Sequence, residues 1–136
     1  MHPMLTDLKG AAMLIAAQPA TTRRMAAAGE VPGTRVGGQW RFWKPALLTR
    51  VAGADAAAHA LGDYHPSDDP GVVDIHELAD LLGLSEGRLS LLLRQGDVPA
   101  TKVGRQWRAY WPAIRDRIAA GQSLGEHTEP EEEVNT

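Results

Sequence analysis

The side chains of this chain that could do chemistry are mostly cations. Arg23 and Arg24 are adjacent, with Thr21 just before them, and Arg35 and Arg41 bracket the run Val-Gly-Gly-Gln-Trp. A guanidinium presents its donors in a planar fork that matches phosphate oxygens and the major-groove edge of guanine. A parallel set follows later: Arg88, Ser90 and Arg94, then Lys102, Arg105, Gln106 and Arg108. Gln39 and Gln106 stand at or beside the glycines of their runs, where an amide can reach a base edge or phosphate or tie the chain to itself. These sets point to binding an anionic polymer rather than to catalysis.

Enzyme signatures are missing. The 136 residues contain no Cys, so disulfides and thiolate metal sites are excluded, and the five His (2, 59, 65, 76, 127) are scattered. There is no nucleotide P-loop and no HExxH. Asp68-Asp69 lies in a Pro-flanked loop and reads as a solvated turn, and His76 reads as exposed. The expectation is a non-enzyme with no catalytic residues, no cofactor, no metal and no small-molecule effector.

The net charge of -3 argues against nucleic acid only until it is divided. All 14 Lys and Arg precede Ser123, and the stretch GEHTEPEEEVNT holds five Glu and no base. Residues 6–52 carry seven bases and two acids, 7 − 2 = +5, whereas residues 73–119 carry seven and six, 7 − 6 = +1. Counterion release from a duplex would favour the first segment.

Those two segments are copies. At an offset of 67, residues 6–52 align with 73–119 without a gap, and 16 of the 47 positions are identical. They include Asp7/Asp74, Gly37/Gly104, Trp40/Trp107 and Pro45/Pro112. Two tandem modules are expected at 5–53 and 72–121, with a partly helical connector at 54–71 and a disordered acidic tail at 122–136.

The second copy has the sharper local signals. Asp74 and Glu77 have capping-box spacing, and Ile75, Leu78, Ala79 and Leu82 fall on one helical face. Gly83 ends that helix, Ser85 caps a second with Leu89, Leu92 and Leu93 inward, and Gly96 stops it. Two short helices joined by a glycine turn make a helix-turn-helix signature. A hairpin follows, in which Val103 and Trp107 are expected to pair on the core side around a three-residue loop, Gly104-Arg105-Gln106. Pro112 suits the first turn of a third helix, with Ile114 and Ile118 inward. In the first copy the inward residues are Leu8, Ala11, Ala12 and Ile15, then Thr22, Met25 and Ala26. Trp40 and Trp107 are expected as core anchors, and Trp43 and Trp111 as packing residues at the third-helix starts. In the connector, ADAAAHAL is expected to be helical and able to extend the third helix of copy one.

The run LADLLGLSEGRLSLLLRQGDVPATKVGRQWRAY resembles the excisionase-type, MerR-like winged helix-turn-helix, in its helix ending at LLG-L-S, its G-D-V-P-A turn and its V-G-R-x-W-R wing. The likeness covers copy two well and copy one in outline. It implies a mainly α fold with small β-hairpin wings, in two tandem winged helix-turn-helix modules. It also implies that the second helix of each, 19–28 and 86–95, enters the major groove, while the wings, 35–41 and 102–108, reach the backbone or minor groove. The implied partner is double-stranded DNA. The implied role is a small bacterial or phage transcriptional regulator, with a recombination directionality factor as the alternative.

Leu91 stands where that family usually shows a polar residue, and Glu86 is a poor neighbour for phosphate. Copy two is therefore also a candidate for a protein partner or for self-association. As a coil the connector spans roughly 25 Å, enough to reach toward the next major groove at about 34 Å. The apolar stretch at 11–20 is too short, and too poorly flanked, for a secretory leader, so a cytoplasmic, nucleoid-associated protein with no membrane partner is expected.

Overall fold

The computed structural model describes residues 1–125. The chain is mainly helical, with two three-stranded antiparallel sheets. The first repeat runs β1 (Leu5–Thr6), α1 (Leu8–Leu14), α2 (Pro19–Ala27), β2 (Thr34–Val36), β3 (Gln39–Trp43) and α3 (Lys44–Ala52). Then come α4 (Ala54–Leu61) and a 3-10 turn at Pro66–Asp68. The second repeat runs β4 (Val72–Val73), α5 (Ile75–Leu82), α6 (Glu86–Gln95), β5 (Thr101–Val103), β6 (Gln106–Tyr110) and α7 (Trp111–Ala119). Every element of the second repeat starts 67 positions after its counterpart, so the sequence repeat is a structural repeat. No helix among the described residues is long and apolar enough to cross a membrane.

The helix ends follow the local chemistry. Asp7 caps α1 by accepting from the Gly10 N–H, Asp74 and Glu77 form the full capping box on α5, and Ser85 caps α6 through the Arg88 N–H. Gly83 and Gly96 end α5 and α6 in the left-handed conformation that glycine adopts freely. Pro45 and Pro112 sit in the first turns of α3 and α7, where the missing N–H costs nothing.

The hairpins depart from expectation. Val103 pairs with Gln106, not Trp107, because the turn has two residues, Gly104 and Arg105, rather than three. A one-residue change of register flips every side chain to the opposite face. Val103 therefore points away from the core of its own repeat and is 65% exposed, while Trp107 packs partly against that core. The third strands, β1 and β4, were not expected; each is two residues long and completes a sheet ordered β1-β3-β2 or β4-β6-β5.

Alternation along the first sheet decides how the repeats meet. Phe42 and, partly, Trp40 join a small core with Ala11, Ala26, Val31 and Leu47. Cross-strand partners share a face, so Leu5 lies with Trp43, Thr34 with Arg41 and Val36 with Gln39 on the other side. That side is buried against the second repeat. Leu5, Val36 and Trp43 belong to one cluster with Leu82, Leu92, Trp111, Ile114 and Ile118. The repeats share a core, and the picture of two modules on a coil-like tether is corrected.

The connector is folded as well. Gly53, at φ 97°, breaks the chain between α3 and α4, so α4 packs back on α3 instead of extending it. Asp69 is not the solvated turn residue expected. Its side chain is 6% exposed and accepts from the His2 ring, the Tyr64 hydroxyl and the Trp111 indole, with Arg115 at 3.4 Å. Burial alone would raise its pKa, but hydrogen bonds from His2, Trp111 and Tyr64 hold it below the ordinary carboxylate value. Burial and the bond to Asp69 push the Tyr64 phenol up to about 12. The His2 ring lies among Trp43, Tyr64 and Trp111 at 5.1–5.6 Å between centroids. The N-terminus, the connector and the second repeat thus meet around one carboxylate, and Trp43 of the first repeat packs on the His2 ring.

The start of the expected tail is also corrected. Leu124 is 1% exposed in the shared core, and the Gln122 carbonyl accepts from the Thr34 hydroxyl, so residues 122–125 belong to the body. The remainder of the expected disordered segment lies outside the described residues.

Candidate nucleic-acid interface

The first repeat carries an open groove of about 830 Å³ between the starts of α1 and α2 and the β2–β3 hairpin. Lys9, Arg23 and Arg35 line it from three different elements, with Trp40 and Gln39 on the hairpin side. The helix ends explain why these groups converge. Asp7 starts α1 so that Lys9 falls in its first turn, and Pro19 starts α2 so that Arg23 lies one turn in. The Arg35 guanidinium lies 5.8 Å from the centre of the Trp40 ring, a contact that steadies a cation while leaving it exposed.

The start of α2 adds to the positive field. Its cap residue, Gln18, makes no side-chain capping bond, and no acid stands in the first turn. Uncapped N–H groups and the positive end of the helix dipole favour an anion there. Arg24 is also exposed on this helix, whereas Thr21 is half-buried. Of the acids, Asp7 borders the groove, with its carboxylate committed to the Gly10 N–H.

The equivalent place in the second repeat is different in kind. Its smaller groove is lined by Arg105, Gln106 and Arg108, but also by Asp74 and His76. The α6 start is closed by the Ser85 cap and begins with Glu86. Glu86 pairs with the His76 ring at 2.5 Å, and through that hydrogen bond and its charge raises the His76 pKa. Lys102 lies 5.3 Å from the Trp107 ring centre, the counterpart of Arg35 over Trp40. Lys102, Arg105 and Arg94 are exposed, Ser90 is half-buried, and Leu91 is 44% exposed.

Two of the arginines expected at the duplex, Arg41 on the wing and Arg88 on the second reading helix, bond within the protein. Arg41 is 5% exposed. It donates to the carbonyls of Leu82 (2.7 Å) and Gly83 (3.0 Å) at the end of α5, to Trp40 O, and to the Gln39 amide oxygen. It therefore closes the C-terminus of a helix in the other repeat, where carbonyls and the dipole favour a cation. Burial lowers its pKa, and the Asp7 carboxylate works the other way. Arg88 is exposed but donates to the Gly37 carbonyl at the tip of the first hairpin. Gln39 and Gln106 have their side-chain oxygens held by Arg41 and Arg108, so both tie their hairpins to themselves. Arg108 is half-buried and donates only within its hairpin.

The tryptophans exchange the roles expected of them. Trp40 and Trp107 are half-buried beneath cations, while Trp43 and Trp111 are 8% and 0% exposed in the core between the repeats. The sequence reading takes Asp69 for a solvated turn residue and counts Lys9 only as one base of the first copy. Asp69 stands among solvated neighbours in a polar loop, and only the fold brings three donors to it. Lys9 had a signal, a cation two residues past a capping Asp.

The hairpin joins the two halves of this surface. Gly38 lines the first groove and neighbours the Arg88 guanidinium, so the basic face of α2 continues across the hairpin tip toward α6. No family model matches the chain, and no curated protein or solved structure matches it either.

Proposed function

We propose that the chain binds double-stranded DNA as two fused winged helix-turn-helix modules, with the first repeat supplying most of the affinity. The observation that carries this is the convergence of Lys9, Arg23 and Arg35 on one open groove beside an uncapped helix start. In this reading α2 lies along the major groove, with Arg23 and Arg24 facing bases or phosphates, and the β2–β3 hairpin follows the backbone through Arg35. The second repeat contributes Arg94, Lys102 and Arg105 at its margin. Because the repeats share a core, they would meet the duplex as one rigid surface, with no search by a free second module. The role this supports is a small transcriptional regulator; a recombination directionality factor would use the same contacts.

The test is duplex binding by fluorescence anisotropy across a salt series. Phosphate contacts predict that log K falls steeply with log salt. Absence of duplex binding at low salt, with the protein folded, would overturn the proposal.

A second reading has its own support. Val72, Val103 and Tyr110 are exposed on the second sheet, and that apolar surface suits a protein partner better than a phosphate backbone.

A further inference from the structure

The exposed apolar residues of the second sheet are not scattered. Val72 is 66% exposed, Val103 65% and Tyr110 58%. At the offset of 67 their counterparts are Leu5, Val36 and Trp43, which are 3%, 1% and 8% exposed. All three counterparts lie on the face of the first sheet that packs on the second repeat. Arg108 matches Arg41 in the same way. Its bonds to Trp107 O and Gln106 Oε1 reproduce those of Arg41 to Trp40 O and Gln39 Oε1. What it lacks is the third contact, to carbonyls at a helix end. Gly104 matches Gly37, which seats against the Leu92 side chain, whereas no described residue lies within 4 Å of where a Cβ would stand on Gly104. The second sheet thus presents the docking face of the first, with the same Val-Gly-x-Gln-Trp-Arg residues, and no described residue covers Val72, Val103 or Tyr110.

We infer that this face docks on the first repeat of a second copy of the chain, repeating between molecules the contact that joins the repeats within one. The receiving surface follows from the same offset. Within the chain, Arg41 binds the carbonyls of Leu82 and Gly83, Gly83 being held at φ 70°. The counterparts are Ile15 and Ala16, and Ala16 is the one described non-glycine residue with positive φ, at 57°. Alanine rarely adopts that conformation, so the helix end keeps the shape of the receiver without the glycine. No hydrogen bond among the described residues reaches either carbonyl. Leu14 (38%) and Val51 (47%) are exposed on this repeat, where Leu81 and Ile118 are half-buried and fully buried in the other. A donor face and a different receiving face make a heterologous contact, which extends head to tail instead of closing a dimer. This inference is independent of any nucleic-acid role.

Sedimentation velocity of the full chain without DNA, from about 1 to about 300 µM, spans the range in which a small interface dissociates. The expected result is a weight-average mass that rises past the dimer. Val103→Glu and Leu14→Glu, both at exposed positions, should each stay monomeric over that range with unchanged thermal midpoints. Mixed together they should form a dimer that grows no further, because the pair retains one intact donor face and one intact receiving face. A wild-type chain that stays monomeric at the highest concentration overturns the inference. So does assembly that survives Val103→Glu, or a mixture of the two variants that remains monomeric.

Discussion

Arg41 and Arg108 occupy one position in two copies of the same hairpin, and their bonds to the hairpin itself are the same. Arg41 is sealed in the core because α5 of the other repeat ends against it; Arg108 is half-exposed because no helix end among the described residues is there. The same contrast runs through Val36 and Val103, and through Trp43 and Tyr110. Burial in this protein is therefore a property of the neighbouring repeat as much as of the residue. The charge comparison runs the other way. The first repeat is packed through its sheet and leaves a cationic groove open, while the second has a closed helix start, a mixed-charge groove and a bare apolar sheet.

The comparison can be broken most severely at Asp69, which stands 67 positions after His2 and bonds to it. Asp69→Ala leaves the His2, Tyr64 and Trp111 donors unpaired at the junction, and a loss of about 3–5 kcal/mol is expected by chemical denaturation, as for one partner removed from a buried polar cluster. The same carboxylate gives the acid limb of stability. Its folded pKa is depressed, so its contribution is present above the ordinary carboxylate value near about 4 and is lost as pH falls through the depressed value. Acid titration of the thermal midpoint should show that loss in the wild type and a flatter limb in Asp69→Asn.

Arg41→Ala against Arg108→Ala isolates the effect of the neighbour. The first should cost about 2–4 kcal/mol, because two carbonyls at the α5 end lose their donor; the second should cost about 0.5 kcal/mol. Val36→Ala and Val103→Ala should divide similarly, at about 2 kcal/mol against a change within about 0.5 kcal/mol, from the methyl groups withdrawn from packing. Equal values within either pair would mean that the repeats do not share a core in solution.

The charge comparison is sharpened by duplex binding. Arg23→Ala with Arg24→Ala should weaken binding by about tenfold or more and reduce the salt slope by about two phosphate contacts. Leu91→Arg, at the position equivalent to Arg24, should strengthen binding a few-fold if α6 faces the duplex. The smallest effect belongs to His76 and Glu86. The His76 pKa is raised by its partner, so the pair stabilises at low pH and its contribution fades as pH rises through the raised value. Thermal midpoints of the wild type and His76→Ala should converge above that pH; a gap that persists there would show that the ion pair is not the cause.

Much of this architecture is legible in the sequence alone. Caps, glycine helix ends and first-turn prolines act within a few residues, and Asp7, Asp74, Ser85, Gly83, Gly96 and Pro112 did what their types imply. The basic bias of the first repeat was legible too, because charge is additive along a chain. The expected ligands divided by neighbourhood. Arg23, Arg24 and Arg35 are exposed on the first repeat, Arg23 and Arg35 sharing its groove, whereas Arg41 became a helix cap because a distant carbonyl outbids solvent only once the fold brings it near. Val103 was misplaced by one residue of turn length, a difference of a few φ values that reverses a whole strand face.

By itself, the sequence determined a twofold repeat of the same helices and hairpin, with its cations concentrated in the first copy. These are consequences of local hydrogen bonding, hydrophobic period and composition. Only the tertiary structure decided which sheet face is core and which is surface, and that Asp69 and Arg41 join the repeats. Those outcomes depend on groups tens of residues away arriving at hydrogen-bonding distance, and the same Val-Gly-x-Gln-Trp-Arg can end buried or bare according to what arrives.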